Sequence, residues 1–354
     1  MFLLLTAFPK FLARLVWLCE AFLVPVIVYL SLSLVKRLGI VHKALIATFS
    51  IACFVLSTLQ ALLGPFYHSV EGGLVMFVTN KWLHNYLSNR VISILSALFS
   101  GALVTIISFF PVLFAVRYWT MRSRYWVYFF TGRKGAMLVG YTIAFGAVIT
   151  GLILTYGQLD VETKECFREP MENHYGQLVD DMWGYGIVAY KSNATGTFAQ
   201  RIRMKSFLVA VPILSIATIQ FIVTIVSALK MFWEIRDILA LLSSPTQETQ
   251  RQFVKCLLFQ IIPPTICLFI PIIIVHIFPY TNLNVDFPSG IITFLLAAYP
   301  LVDSCILLYI LSEYREASKK LFKRVFELFL APDPKKYASG HAVAVRKFKR
   351  LDFV

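Results

Sequence analysis

The sequence predicts an all-helical membrane protein: a bundle of seven transmembrane helices with its N-terminus outside and its C-terminus in the cytoplasm. Three observations predict it. Of 354 residues, 58% are hydrophobic and only 15% are charged, whereas an ordinary soluble domain carries about 25% charged residues. Seven apolar runs each reach the roughly 20 residues that a helix needs to cross a ~30 Å hydrocarbon core. The basic residues gather on alternate connecting segments, as the positive-inside bias requires. The same composition excludes a disordered chain, and six cysteines in this length exclude a small disulfide scaffold.

The first run is Leu15–Val35. The apolar residues before it, Met1 to Ala7, are interrupted by Pro9, Lys10 and Arg14 and lead to no small-residue cleavage site, so they read as the approach to the helix and not as a secretory signal. Glu20 falls near the start of this run and is expected close to the outer interface. The second and third runs are Ala44–Gly64 and Val91–Val116, the latter followed directly by Arg117. The fourth, Ala136–Tyr156, leads into a long outer loop, Gly157–Lys205, which carries Cys166 and an N-glycosylation sequon at Asn193. The fifth run is Ser206–Leu229.

The sixth run, Cys256–Phe278, contains Pro263, Pro264 and Pro271. Adjacent prolines delete two backbone donors and predict a kink near its inner third. Upstream, Ser244-Pro245-Thr246-Gln247 has the pattern of an N-cap, a first-turn proline and a capping-box glutamine. The seventh run, Ser289–Ser312, holds Pro300 and, three residues on, Asp303. Asp303 lies about 13 Å inside the run from Ser312. A carboxyl at that depth costs several kcal/mol unless paired, neutralised or hydrated, so it is expected to face the bundle interior. Residues 1–312 thus form one seven-helix domain, and 313–354 a basic tail. Leu321, Phe322, Val325, Phe326 and Phe329 recur there at helical spacing among Lys319, Lys320, Lys323 and Arg324. This pattern predicts an amphipathic helix lying on membrane lipid.

The formal charge of +14 would ordinarily suggest nucleic acid or an anionic surface. With the N-terminus outside, however, 23 of the 33 basic residues fall in the cytoplasmic segments and 11 of them after Ser312. The charge is therefore a topology signal, and no nucleic-acid partner is expected. Enzyme chemistry is not expected either: the six histidines do not share a span, the cysteines form no CxxC pair, and no Walker A or GxSxG sequence is present. No metal or cofactor is implied. A channel or transporter would need a continuous polar path, for which only Asp303 and Glu20 are available. A non-signalling scaffold of the same fold is a further alternative.

Segments in four places sharpen the reading. They are Phe114-Ala115-Val116-Arg117-Tyr118-Trp119 at the end of the third run, and Pro65-Phe66-Tyr67-His68-Ser69 with Gly73-Leu74-Val75-Met76-Phe77 after the second. Thr249-Gln250-Arg251-Gln252-Phe253 and Gln260-Ile261-Ile262-Pro263-Pro264 mark the sixth, and Tyr299-Pro300-Leu301-Val302-Asp303 with Glu313-Tyr314-Arg315 the seventh. In this order and spacing they resemble the Str family of nematode seven-transmembrane chemoreceptors, from about Pro25 to Phe322. The resemblance implies a G-protein-coupled receptor at the ciliary membrane of a sensory neuron, with a small-molecule odorant or tastant as ligand and a heterotrimeric G protein as partner.

The resemblance also selects residues. Arg117 and Tyr118 match the family's Tyr-Arg-Tyr-like motif, with Val116 in place of the first tyrosine and without the preceding acid of rhodopsin-like receptors. Arg117 is then either a charge that meets the G protein on opening or an arginine snorkelling at the membrane edge. Pro263 and Pro264 would convert a small rotation into a swing of the cytoplasmic end, or simply bend the helix. Pro300 and Asp303 mark a conformational switch, or a structural hydrogen bond. Ligand contacts are expected among the outer halves of the third, fifth, sixth and seventh helices, with Phe207, Phe269, Ile273 and Phe294 as candidates. These halves lack a charged anchor, which predicts a small, neutral, fairly apolar ligand. Rhodopsin-like receptors bridge the outer end of helix three to the second outer loop, but no cysteine stands near Val91, so that bridge is excluded and Cys166 is expected to be free, or else to pair with another chain.

Overall fold

A computed structural model describes residues 2–35, 39–70, 72–176, 178–191, 202–240, 244–281, 287–288 and 290–330. Among the described residues, seven helices are long and apolar enough to cross a membrane: Thr6–Ser33, Ile40–Leu63, Asn89–Arg122, Arg133–Tyr156, Met204–Glu234, Phe259–Tyr280 and Gly290–Ile310. They are called here the first to seventh spans. Each apolar run satisfies its own backbone N–H and C=O groups only by closing into a helix. The bundle has two distinct ends: one carries a small β-sheet, the other the tail helix Ser312–Leu330.

Several helices outrun the apolar stretches that announce them. The first starts at Phe2, ahead of Leu15; within this extension Lys10 donates to the carbonyl of Thr79 at 2.9 Å, which gives its charge a partner. The third continues past Val116 to Arg122, and the fifth past Leu229 to Ala240. In the sixth, the α-helix Ser244–Pro264 passes through a π-helical turn, Thr265–Phe269, before resuming as Ile270–Ile277. The wide turn follows Pro263 and Pro264 directly, where the helix has lost two donors to the carbonyls of Phe259 and Gln260.

The third and fourth spans cross closely through two glycines. A Cβ on Gly101 would lie 2.6 Å from the carbonyl oxygen of Gly146, and one on Gly146 would lie 2.5 Å from that of Gly101. Small residues are what allow two backbones to meet in this way.

The sheet is a layer of its own. Strands β1 (Pro65–Val70), β2 (Gly73–Val78), β3 (Gly184–Val188) and β4 (Phe287–Pro288) run in the order β3-β2-β1-β4, and every pairing is antiparallel. Alternate side chains point opposite ways. Tyr67, Leu74, Met76, Tyr185 and Ile187 join the core of the bundle, whereas Phe66, Val75, Phe77 and Val188 pack against a loop helix, Val161–Tyr175. The sheet therefore lies between the bundle and that helix, buried on both faces. Asp160 caps the loop helix, accepting from the backbone N–H of Thr163 at 3.2 Å. The buried Arg203, just ahead of the fifth span, pairs with Asp160 and with Glu162, the latter at 3.0 Å. Burial alone would raise the Asp160 pKa, but the hydrogen bonds from Arg203 and Thr163 outweigh it and hold the carboxyl below its usual value.

Candidate functional site

Side chains that cannot be left unpaired in hydrocarbon meet at the centre and the tail end of the bundle, and the seventh span collects most of them. Asp303 is buried and accepts a hydrogen bond from Nε2 of Gln260 on the sixth span at 3.0 Å. One residue on, Ser304 donates to Oε1 of Glu20 at 3.0 Å. Glu20 is fully buried and lies midway along the first span, not at an interface, because the helix begins well before the apolar run that contains it. Towards the sheet end, the Gln60 amide of the second span donates to the carbonyl of Thr293 at 3.1 Å. At the tail end, Ser312 donates to Oε1 of Gln252 at 2.6 Å, and the hydroxyls of Tyr314 and Ser31 lie 2.7 Å apart.

A second cluster joins the second, third and fifth spans. Because the third helix runs on to Arg122, Arg117 lies within it and is buried rather than extended to the membrane edge. Its Nη1 donates to Nε2 of His42 on the second span at 3.2 Å. A guanidinium has no acceptor, so the imidazole supplies a lone pair at Nε2 and carries its proton on Nδ1. On the other side of the third helix, the Tyr118 hydroxyl donates to Oε1 of Glu234 at 2.9 Å, and Arg122 reaches Oε2 of the same carboxylate at 3.2 Å. This triad fastens the third span to the fifth.

A cavity of about 30 Å³ connects the clusters; its lining includes His42, Ser50, Gln260 and Asp303. That is room for a water molecule or two among groups able to hydrogen-bond it. Arg117, His42, Gln260 and Asp303 thus belong to one polar tract that crosses the tail-end half of the bundle. Pro263 and Pro264 lie just beyond Gln260 on the sixth helix, and Pro300 is buried one turn before Asp303 on the seventh.

The four aromatic and aliphatic ligand candidates separate. Phe269 is buried in an aromatic cluster, with its ring centroid 4.9 Å from Phe221 and 5.8 Å from Phe110, itself 6.0 Å from Tyr299. Ile273 packs against the same core. Phe294 turns instead to the first span and stacks on Phe8 at 5.8 Å. Phe207 is exposed on the outside of the bundle. Beneath the sheet, Tyr67 and Tyr185 are buried in the core of the bundle, on the two strands that flank β2 and both opposite Met76. Cys166 is in no disulfide, and neither is any other cysteine among the described residues. Asn193 lies outside the described residues.

Two contributors do not stand out in the sequence. His42 and Glu234 lie beyond the apolar runs and look like ordinary surface residues. Gln260 did offer a signal, as a lone amide within an apolar run beside two prolines.

Seven spans held together by polar groups buried between them define a helical membrane protein of the seven-transmembrane kind. Sequence comparison then supplies the family. Residues 10–319 match the profile described as serpentine type 7TM GPCR chemoreceptor Str, and the chain belongs to that family. Among characterised sequences it is similar to the G-protein coupled receptor str-33 of Caenorhabditis elegans, with 28% identity over 297 residues, covering 84% of this chain and 85% of that one. It is also similar to the serpentine receptor class r-10 of Caenorhabditis briggsae, with 23% identity over 299 residues, covering 81% and 82%. The family is one of chemosensory receptors of the G-protein-coupled type, not of enzymes.

Proposed function

We propose that this chain is a chemoreceptor in the plasma membrane, at the cilium of a sensory neuron, which detects a small, neutral, fairly apolar molecule and activates a heterotrimeric G protein at its tail end. The observation that carries this reading is the polar tract from Asp303 and Gln260 to His42 and Arg117, which ties together the sixth, seventh, second and third helices at one end. Groups that are costly to bury and bonded across helices are the natural elements of a two-state bundle, since any relative motion of the helices must exchange their partners. Pro263 and Pro264 with the following π-turn supply the break about which the sixth helix swings, and Pro300 a second beside Asp303. Arg117 and Tyr118 meet the G protein once the tail end opens.

The charge distribution supports an N-terminus outside and a cytoplasmic tail. The sheet end then faces outwards and the tail helix lies on the inner leaflet; its Phe322 and Phe326 are exposed on the bundle surface as a membrane-bound face requires. Asn193 would then be accessible to glycosylation. The aromatic cluster around Phe269 favours an apolar ligand, and the tyrosine pair beneath the sheet offers it a hydrogen bond. A screen of a volatile panel in cells carrying a G-protein or calcium reporter tests the reading. Neutral compounds are expected to evoke a response that disappears without the G protein. Responses confined to cationic amines would refute the ligand class, and a ligand-evoked current that persists without G protein would favour the channel alternative.

A further inference from the structure

A groove on the outside of the bundle, between the sixth and seventh spans at the tail end, has the chemistry of a phospholipid site. It encloses about 890 Å³ and is lined by Arg251, Lys255 and Arg315 at its mouth and by apolar residues including Phe259, Val302 and Tyr309 along its shaft. Arg251, Lys255 and Phe259 are spaced four residues apart on the sixth helix, hence on one face. The sixth span begins at Phe259 and the seventh ends at Ile310. The three cations therefore lie just outside the hydrocarbon zone, at headgroup level, while the shaft lies within it. From Val302 to Ile310 the shaft runs about 12 Å along the seventh helix, most of the ~15 Å depth of one leaflet.

The lining contains no carboxylate among the described residues. Arg315 donates to the carbonyl of Tyr309 at 3.3 Å and so bends back over the shaft, and Lys255 lies 6.0 Å from the Phe259 ring. Phe259, Val302 and Tyr309 are all exposed. A soluble peptide or G-protein segment would have to enter lipid to reach them, whereas an acyl chain is already there. We infer that this groove binds one anionic phospholipid, its phosphate held by Arg251, Lys255 and Arg315 and one acyl chain lying along Phe259, Val302 and Tyr309. The site spans the seam that the Gln260–Asp303 bond closes from inside, so an occupant bridges the sixth helix to the seventh and its tail. That it lies in the inner leaflet rests on the orientation proposed above; the site itself does not.

The test uses the full-length receptor in nanodiscs of phosphatidylcholine containing a minor fraction of phosphatidylserine with a photoreactive group in one acyl chain. Lipid is present in both leaflets of a nanodisc, so the result is independent of orientation and of signalling. Irradiation is expected to place adducts on Phe259 or on residues 302–309. Labelling should fall about tenfold or more in R251Q/K255Q/R315Q and also in Val302→Trp, which fills the shaft and leaves the charges. It should persist in K319Q/K320Q/K323Q on the tail helix. Equal labelling by a phosphatidylcholine probe, adducts distributed without preference for the seam, or labelling unchanged in both groove variants would overturn the proposal. Displacement by inorganic phosphate would show a free-phosphate site instead, and would overturn it too.

Discussion

Replacing Gln260 by leucine should destabilise the receptor, and adding Asp303→Leu should restore much of the loss. In the structure the Asp303 carboxyl is buried and accepts a hydrogen bond from the Gln260 amide at 3.0 Å. Charge-assisted hydrogen bonds contribute about 1.5–3 kcal/mol in soluble proteins, but interhelical bonds in membranes average about 0.6 and reach about 1.7 kcal/mol. A buried pair joining two proline-broken helices belongs near the upper part of that range, about 1 kcal/mol or somewhat more. Gln260→Leu leaves the acid without this donor, so the apparent melting temperature in detergent should fall by a few degrees, on the order of 2–4 °C. Replacing both partners by apolar side chains removes the unpaired acid as well as the bond, and such double replacements cost little. The assay is a double-mutant cycle on purified protein. If the double variant loses the sum of the two single losses, Gln260 and Asp303 are energetically independent and the proposed tie between the sixth and seventh helices is wrong.

Three further perturbations have expected outcomes. Gly101→Ala should lower stability by about 1–3 kcal/mol through overpacking; combining it with Thr150→Ala should recover only part, because the Gly146 carbonyl at 2.6 Å remains in the way of the new Cβ, as thermal melts will show. The folded Asp160 pKa lies below the ordinary carboxylate value of 3.8, so its contribution is present above that value and is lost as pH falls through the folded pKa; hydrogen exchange should show the loop helix Val161–Tyr175 loosening in acid, and Asp160→Asn should loosen it already at neutral pH. Tyr118→Phe and Glu234→Gln each weaken the fastening between the third and fifth spans and should raise ligand-independent reporter activity by about fivefold per kcal/mol removed; no rise in either variant would exclude the triad as a closing contact.

The seven spans were readable because a helix in hydrocarbon must be long and apolar, and both requirements leave marks in the sequence. What hydropathy does not record is which way an apolar residue faces. Phe207 and Phe269 are equivalent on that scale, yet one is exposed on the outside of the bundle and the other buried within it, since lipid and core are similarly apolar environments. Helix ends are not legible for a related reason: the helices leading to Arg122 and Ala240 outlast the hydrocarbon that apolarity reports. The same holds at the other end of the chain, where the helix begins at Phe2 and so places Glu20 midway along the span. The sheet left no alternating signal because β1 and β2 are buried on both faces, by the bundle and by the loop helix. Asp303 was located by its cost alone, whereas its partner Gln260 required the neighbouring helix to be in place.

Nucleotide exchange on a purified G protein, driven by the receptor in nanodiscs with a ligand from the neutral panel, addresses the account most directly. Wild type should accelerate exchange on ligand addition, and Arg117→Ala should lose that acceleration while its ligand affinity stays within about threefold, since the residue lies at the far end of the tract from the aromatic cluster. Exchange by Arg117→Ala equal to wild type, or loss of ligand binding in step with loss of exchange, would contradict it.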